Sequence, residues 1–143
     1  MTLELKLNAQ EVEAAIREGL VMAGRGGFQV EAVEPGYARI RLPFRDSMLR
    51  PGNLVSGPTL FLAADAAMYA LVLAHIGPQL MAVTTNLNMN FLSKAQPGDV
   101  IGEASMLRLG KRLAVMEVRL STGDDPTVVA HVTGSYALPA PRS

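Results

Sequence analysis

The sequence of 143 residues contains no cysteine, which excludes disulfides, thiolate metal sites and cysteine nucleophiles. It contains only two histidines, His75 and His131, and they lie far apart along the chain. A metal centre would then depend on carboxylates in ligand spacing, and the sequence has no such group. We therefore expect neither a metal site nor a bound cofactor.

An excess of charge is also missing, since thirteen Lys and Arg residues balance thirteen Asp and Glu residues. A chain without a basic excess has no general electrostatic attraction to nucleic acid or to an acidic membrane surface. Residues 1–6 lack the charged and then apolar pattern of a secretory signal. These observations predict a cytoplasmic protein without nucleic-acid or membrane partners, and the length predicts a single domain over residues 1–143.

Polar residues are almost absent from residues 57–77, and the rest of the chain is organised around this stretch. Gly57 and Pro58 suit the start of a helix, and Gly77 suits its end. The helix is apolar on all sides, which predicts that it is buried. It has about the length of a membrane span, but Asp65 near its middle would be costly in a bilayer. We therefore predict one buried central helix that carries a single acidic residue.

The spacing of residues divides this helix into two faces. One face carries four alanines at intervals of four, three and four residues, namely Ala63, Ala67, Ala70 and Ala74. Their small side chains predict the close approach of a β-sheet. The other face carries Asp65 among the apolar residues Phe61, Met68, Tyr69, Val72 and Ile76. Because this face is apolar too, we expect it to be covered, and a second copy of the chain is the obvious candidate.

A second helix is predicted near the start of the sequence, where Asn8 and Glu11 have the spacing of a capping box. Val12, Ile16 and Leu20 then form one apolar stripe, and the glycine-rich residues 24–27 end it. This pattern is typical of an amphipathic helix on the outside of a domain.

Six strands are predicted from alternating apolar and polar residues, at 28–34, 37–44, 81–92, 100–109, 113–121 and 127–138. Residues 45–56 are predicted as a loop. In the third strand, we expect Thr84 to share a polar face with Asn86, Asn88 and Asn90. Short turns between successive strands favour antiparallel pairing. The expected fold is α+β, an antiparallel sheet of about six strands wrapped around the central helix, with the amphipathic helix outside.

This arrangement resembles the hotdog fold, and the residues resemble its acyl-CoA thioesterase branch, typified by phenylacetate-degradation thioesterases. The resemblance covers residues 28–138 and rests on the order and spacing of several motifs. In chain order these are NLVSGP at 53–58, Asp65, TTNLNMNFL at 84–92, PGD at 97–99, LGKR at 109–112 and AHVTGSY at 130–136.

The resemblance implies a catalytic site on the central helix. Members of the branch have His-Gly-Gly before this helix and an acid nine residues after the His, and Asp65 lies nine residues after Ser56. Asp65 would then be the nucleophile or general base, and the Gly57 N–H would polarise the thioester carbonyl. In the branch the acid faces the glycine of the other subunit, which implies a homodimer or homotetramer.

The resemblance also implies supporting residues. Thr84 matches a position where a hydroxyl often lies near the acid, and Lys111 and Arg112 match basic residues that meet CoA phosphates. Asn53 and Ser56 would contact substrate from the preceding loop. Each has a plainer structural alternative, namely a β-favouring residue on a strand, an exposed basic turn, and ordinary turn residues.

Gly57 and His75 lie near the two ends of the central helix, and each has a simple structural explanation. Gly57 can serve as a helix cap as well as an oxyanion donor. His75, close to the helix C-terminus, is expected to interact favourably with the negative end of the helix dipole. His131 lies on a late strand, and the sequence identifies no partner for it.

Two departures from the branch bear on the expected function, because Ser56 replaces the His and Pro58 replaces the second Gly. We expect an acyl-CoA thioesterase for an aromatic or a medium- to long-chain acyl group, with the CoA thioester as substrate. The alternative is a non-catalytic hotdog protein that binds acyl-CoA or a related ligand. The missing His favours this alternative, whereas the retained Asp65 opposes it. A dehydratase of the same fold is disfavoured, because no His stands in a catalytic-looking position.

Overall fold

A computed structural model describes residues 2–19 and 27–140 of the chain. The helices are α1 (Ala9–Gly19) and α2 (Gly57–Ile76), and a short 3-10 helix covers Asp46–Met48. The strands are β1 (Gln29–Glu34), β2 (Tyr37–Leu42), β3 (Leu49–Arg50), β4 (Leu54–Val55), β5 (Val83–Phe91), β6 (Val100–Leu109), β7 (Leu113–Thr122) and β8 (Asp125–Ala137). Leu20 of the predicted apolar stripe, residues 24–26 of its predicted end, and residues 141–143 lie outside the described residues.

Six of these strands form one sheet in the order β1-β2-β6-β7-β8-β5. Every neighbouring pair is antiparallel, as the short turns between strands predict. β5 therefore lies at one edge of the sheet and β8 is its neighbour. The predicted α+β fold, a six-stranded antiparallel sheet around one long helix, is confirmed.

The central helix α2 packs against the sheet through its alanine face. Ala63, Ala67, Ala70 and Ala74 are all completely buried. A Cβ atom at Gly102 of β6 would lie 3.2 Å from the Cβ atom of Ala67, so helix and sheet approach closely here. By length and composition α2 could cross a membrane, yet 72% of its apolar 18-residue window is buried in the chain. This degree of burial is typical of the core helix of a globular domain.

The N-terminal helix begins as predicted. The Asn8 N–H donates to Oε1 of Glu11 at 3.0 Å, and the Glu11 N–H donates to Oδ1 of Asn8 at 2.8 Å. This is the reciprocal pair of a capping box, which satisfies donors that the first turn of a helix leaves free. Val12 and Ile16 are buried, and α1 contacts β1 and α2. The amphipathic outer helix is therefore confirmed over its described residues.

The segment from 45 to 56 is more ordered than the predicted loop. Its 3-10 helix leads into a hairpin of the two-residue strands β3 and β4. The turn of this hairpin uses positive φ angles at Gly52 and Asn53, of 96° and 62°. Strands of two residues are too short to produce an alternating pattern, and for this reason the sequence gives no sign of them.

The chain itself covers part of the second face of α2, for which the sequence suggests a second copy. Met68, Tyr69 and Val72 are already buried within the chain. A Cβ atom at Gly134 of β8 would stand only 2.7 Å from Sδ of Met68, which shows how closely β8 covers the helix here. The uncovered part is near the start of the helix, where Phe61 is 48% exposed.

Candidate active site

Asp65 is half-buried in α2, and two hydroxyl groups bind its carboxylate. The Thr84 hydroxyl donates to Oδ1 at 2.6 Å, and the Tyr136 hydroxyl donates to the same oxygen at 2.7 Å. The Tyr136 hydroxyl also lies 3.2 Å from the backbone oxygen of Asp65. No hydrogen bond to Oδ2 occurs within residues 2–19 and 27–140, so this oxygen is free to meet a substrate or water.

A β-bulge in β5 directs Thr84 toward Asp65. Thr84 is paired with Tyr136, but the next pair along the strands joins Asn86 to Ser135, and Thr85 is the extra residue. Because paired residues share a face and successive residues alternate, Thr84 and Asn86 lie on opposite faces. The prediction that Thr84 shares a polar face with Asn86, Asn88 and Asn90 is therefore wrong. The extra residue moves Thr84 to the helix side of the sheet.

Tyr136 is the site residue that the sequence reasoning missed. It is only 3% exposed, and burial and the neighbouring charge of Asp65 both raise the pKa of its phenol. Its ring stacks on that of Tyr69, with centroids 5.9 Å apart and planes at 17°. It is the last residue of the 130–136 motif, and its alternation with buried Val132 and Gly134 could have placed it on the inner face.

The start of α2 leaves one backbone donor unused. Ser56 caps the helix, since its hydroxyl accepts the Thr59 N–H at 3.2 Å and its carbonyl accepts the Leu60 N–H at 3.1 Å. Pro58 has no N–H to offer. Within the part of the chain that the structure describes, the Gly57 N–H is then the unpaired amide of this first turn. It carries the partial positive charge of a helix N-terminus, which suits a developing oxyanion.

Asp65 and Gly57 of one chain cannot act on the same carbonyl. They are eight residues apart on one helix, which corresponds to about 12 Å along its axis. A reacting carbonyl group needs both the attacking atom and the oxyanion donor within about 3 Å. One chain alone therefore presents the acid and the amide at two separate places.

An apolar cavity of about 510 Å³ adjoins the start of α2 and is lined by Gly57, Pro58, Phe61, Met89 and Phe91. A Cβ atom at Gly57 would lie 3.5 Å from Cζ of Phe91, so this ring borders the glycine directly. A second cavity of about 260 Å³ also includes Gly57 and Phe91, and its lining contains the basic side chains of Arg50 and Lys94. The Gly57 amide therefore stands between an apolar and a basic region.

The structure places the other predicted residues apart from Asp65. Lys111 and Arg112 lie on the turn between β6 and β7, and Lys111 lines a cavity of about 240 Å³ with His75 at the C-terminal end of α2. The Arg112 Nε donates to the carbonyl of Leu138 at 3.3 Å. Asn53 is an exposed turn residue. These residues are thus not brought together with Asp65 in one chain.

The two histidines have structural surroundings. The Gly36 N–H donates to Nε2 of His75 at 3.0 Å, so Nδ1 carries the proton and donates to the Leu71 carbonyl at 2.9 Å. The ring therefore joins the turn between β1 and β2 to the C-terminal part of α2, and its interaction with the helix dipole stays a prediction. His131 lies 3.2 Å from Oε2 of Glu117. Among the described residues no group of three His, Asp or Glu side chains could hold a metal ion.

Comparison with known proteins gives consistent matches. Residues 52–129 match the family model described as Thioesterase superfamily. The chain is 31% identical over 122 residues to a candidate esterase of Halobacterium salinarum, across 78% of this chain and 80% of that protein. A crystal structure of a candidate thioesterase from Silicibacter sp. TM1040 is 37% identical, covers 96% of this chain and 95% of its own, and superposes with a TM-score of 0.87. A candidate thioesterase related to phenylacetic acid degradation, from Ralstonia eutropha JMP134, is 26% identical with a TM-score of 0.76, over 89% of this chain and 99% of its own.

Proposed function

The chain belongs to the thioesterase superfamily and has the hotdog fold, and from this premise we propose that it hydrolyses acyl-CoA thioesters. The observation that carries this proposal is the environment of Asp65. An acid on an otherwise apolar helix needs partners, and here two hydroxyls bind one carboxylate oxygen while the other has no partner in the described residues. Such a carboxylate is held in place and still has an oxygen available for reaction.

The proposed site forms between two copies of the chain. Asp65 of one subunit would face the Gly57 N–H of the partner subunit, because the two groups are too far apart within one chain. The surface around them suits self-association, since Phe61, Leu62 and Phe91 are 48%, 41% and 63% exposed and β5 is an edge strand. A homodimer or a homotetramer built from such dimers would complete the site.

Asp65 can promote thioester hydrolysis in two ways. As a nucleophile, Oδ2 bonds to the carbonyl carbon, the C–S bond breaks, and CoA leaves as a thiolate that takes a proton from solvent. Water then hydrolyses the acyl–Asp65 anhydride to the free acid and restores the carboxylate. As a general base, Oδ2 takes a proton from water while the water oxygen attacks, and that proton goes to the departing thiolate. In both cases the Gly57 N–H stabilises the negative charge on the carbonyl oxygen.

The cavities on either side of Gly57 support the proposed substrate class. The apolar cavity of about 510 Å³ would hold an aromatic or a medium- to long-chain acyl group. Basic side chains would meet the CoA phosphates, from Lys111 and Arg112 as the resemblance implies or from Arg50 and Lys94 beside Gly57. Asn53 and Ser56 precede the helix and remain proposed substrate contacts. The expected location is the cytoplasm, where CoA esters occur, and no cofactor is needed.

The deciding experiment is thiol release from a panel of aryl- and fatty-acyl-CoA esters, with wild type beside Asp65→Asn. Asparagine has the same shape and retains an oxygen that can accept from Thr84 and Tyr136, so the variant should fold and bind ligand. Loss of turnover with retained binding supports the enzyme. Binding without release by the wild type would instead indicate the non-catalytic hotdog protein, which the replacement of His by Ser56 favours. The absence of both binding and release would contradict the proposal.

A further inference from the structure

The two hydroxyls at Asp65 converge on the same oxygen, and only that of Thr84 belongs to a residue that the sequence predicts for the site. The other belongs to Tyr136. We propose that Tyr136 is a positioning residue of the reaction, whose hydroxyl fixes the Asp65 carboxylate so that Oδ2 is the oxygen presented to the substrate. This role rests on the proposed thioesterase function and adds a residue to it.

The Tyr136 hydroxyl meets Asp65 at two atoms, and it lies beside the Thr84 hydroxyl, which binds the same carboxylate oxygen. The Tyr136 hydroxyl lies 2.7 Å from Oδ1 of Asp65 and 3.2 Å from the backbone oxygen of the same residue. A hydroxyl that contacts both the carboxylate and the main chain restrains the rotation of the side chain between them. A shorter oxygen–oxygen distance is typical of a bond to a charged acceptor. The carboxylate is therefore the main partner, and the backbone oxygen is the secondary one.

The phenol remains a donor under all ordinary conditions. Its ring is 3% exposed, and burial together with the charge of Asp65 raises the pKa of Tyr136 far above that of a free phenol. A group that keeps its proton cannot compete for the proton that Asp65 must gain or lose. It donates to the carboxylate, which is the form of Asp65 that can act as nucleophile or base.

The surrounding sheet holds Tyr136 in register with its target. Tyr136 on β8 is the cross-strand partner of Thr84 on β5. Tyr136 lies on the helix side through its alternation with buried Val132 and Gly134, and the bulge at Thr85 brings Thr84 to the same side. The Thr85 hydroxyl donates to the Ser135 carbonyl at 3.2 Å and lies 2.9 Å from the Ser135 hydroxyl, which ties the bulge to β8.

The neighbouring tyrosine supplies a matched control. Tyr69 stacks on Tyr136 and is 8% exposed, but its hydroxyl donates to the Leu80 carbonyl at 3.0 Å and makes no hydrogen bond to Asp65 in the described residues. Replacing either tyrosine by phenylalanine removes one buried hydroxyl and keeps the stacked rings. Only Tyr136→Phe also removes a hydrogen bond to the Asp65 carboxylate.

A buried tyrosine hydroxyl usually has a partner, so the bond to Asp65 alone could reflect simple packing. Kinetics separates the two roles. If the hydroxyl positions the carboxylate, Tyr136→Phe lowers kcat by about tenfold to a hundredfold and changes KM by less than about threefold. A purely structural loss would instead lower the stability of the variant and leave kcat of the folded protein nearly unchanged.

The experiment measures thiol release as a function of substrate concentration for the wild type, Tyr136→Phe and Tyr69→Phe, with thermal unfolding of each protein recorded in parallel. The expected result is a lower kcat with a nearly unchanged KM for Tyr136→Phe alone. An unchanged kcat in Tyr136→Phe, or equal losses in both variants, would overturn the role. Incorporation of 3-fluorotyrosine at position 136 covers the case of a poorly folded Tyr136→Phe, because the fluorinated phenol is a stronger donor of nearly the same size. This substitution should change kcat and leave KM nearly unchanged, and an unchanged kcat would overturn the role.

This design also separates the two proposals. An active wild type with an unaffected Tyr136→Phe variant would overturn the positioning role and leave the thioesterase intact. A wild type that releases no thiol from any ester would overturn the thioesterase function and the role of Tyr136 together.

Discussion

Thr84 and Tyr136 face each other across the antiparallel pair of β5 and β8, and their hydroxyls reach the same carboxylate oxygen at 2.6 and 2.7 Å. Cross-strand partners on one face of a sheet have their Cβ atoms about 5 Å apart, which allows two side chains to converge on one acceptor. The acceptor comes from the helix that the sheet surrounds. A single residue pair in the sheet therefore orients the acid of the helix.

The first prediction concerns the hydroxyl of Thr84. Thr84→Val keeps the branched shape that suits the strand and removes the donor to Oδ1, so kcat should fall by about tenfold to a hundredfold. Thr84→Ser keeps the hydroxyl and should retain most of the activity. Steady-state thiol release from one acyl-CoA ester measures both. Equal losses in the two variants would show that the methyl group and not the hydroxyl matters.

Much of the fold could be predicted because its signals are local. The capping box of Asn8 and Glu11, the apolar run of α2 and the alternation of the long strands each depend on neighbouring residues only. The choice of Asp65 and Gly57 also follows from one helix and its resemblance to known thioesterases, although their roles remain predictions.

The parts that could not be predicted depend on pairing between distant segments. The extra residue Thr85 puts Thr84 on the opposite face of β5 from Asn86, and only the register with β8 reveals this change. Tyr136 is 71 residues from Asp65, so no local pattern joins them. The hydrogen bond between His75 and the Gly36 N–H likewise joins residues that are 39 positions apart.

The second prediction is that His75 stabilises the fold through its two hydrogen bonds. The ring joins the turn between β1 and β2 to the last turns of α2, since it accepts from Gly36 and donates to Leu71. His75→Leu leaves both backbone groups without these partners, which should lower the free energy of unfolding by about 1–3 kcal/mol. Urea denaturation measures the change as a lower midpoint with the same slope.

His131 provides the comparison for this experiment. Its ring is partly exposed and its pair with Glu117 is at 3.2 Å, so His131→Leu should change the free energy of unfolding by less than about 1 kcal/mol. Equal effects of the two substitutions would contradict the structural role that we assign to His75.

The third prediction concerns the basic residues that meet CoA. Arg50→Ala and Lys94→Ala remove charges from the cavity that shares Gly57 and Phe91 with the acyl cavity. Each should raise KM for an acyl-CoA by about two- to fivefold and leave kcat nearly unchanged, because exposed charge pairs contribute up to about 1 kcal/mol. The matching acyl-pantetheine ester, which lacks the nucleotide phosphates, should show no such change.

Lys111→Ala and Arg112→Ala test the assignment that the resemblance implies. In one chain Lys111 shares a cavity with His75 at the far end of α2 from Gly57, and Arg112 follows Lys111 on the same turn. A rise in KM for acyl-CoA but not for acyl-pantetheine would show that they reach the phosphates at a site completed by another subunit. Unchanged constants would restrict phosphate binding to other residues.

The fourth prediction is that two inactive variants restore each other. Asp65→Asn removes the acid, and Gly57→Pro removes the amide N–H at a helix position where proline is tolerated. If each site combines Asp65 of one subunit with Gly57 of the partner subunit, a mixed dimer has one site with both groups intact. Random mixing makes about half of the dimers mixed, and one of their two sites works, so co-expression should give about a quarter of the wild-type activity.

The outcome of the mixing experiment depends on where the two groups act. A site within one chain would contain a defect in every subunit, and mixed dimers would be as inactive as either parent. Because the two groups of one chain lie about 12 Å apart along α2, inactive mixed dimers would show that Asp65 and Gly57 do not act on the same carbonyl. Size-exclusion chromatography of both variants confirms beforehand that they assemble like the wild type. Restored activity would then place the exposed apolar surface around Phe61 and Phe91 at the subunit interface, because only contact between copies can bring the two intact groups together.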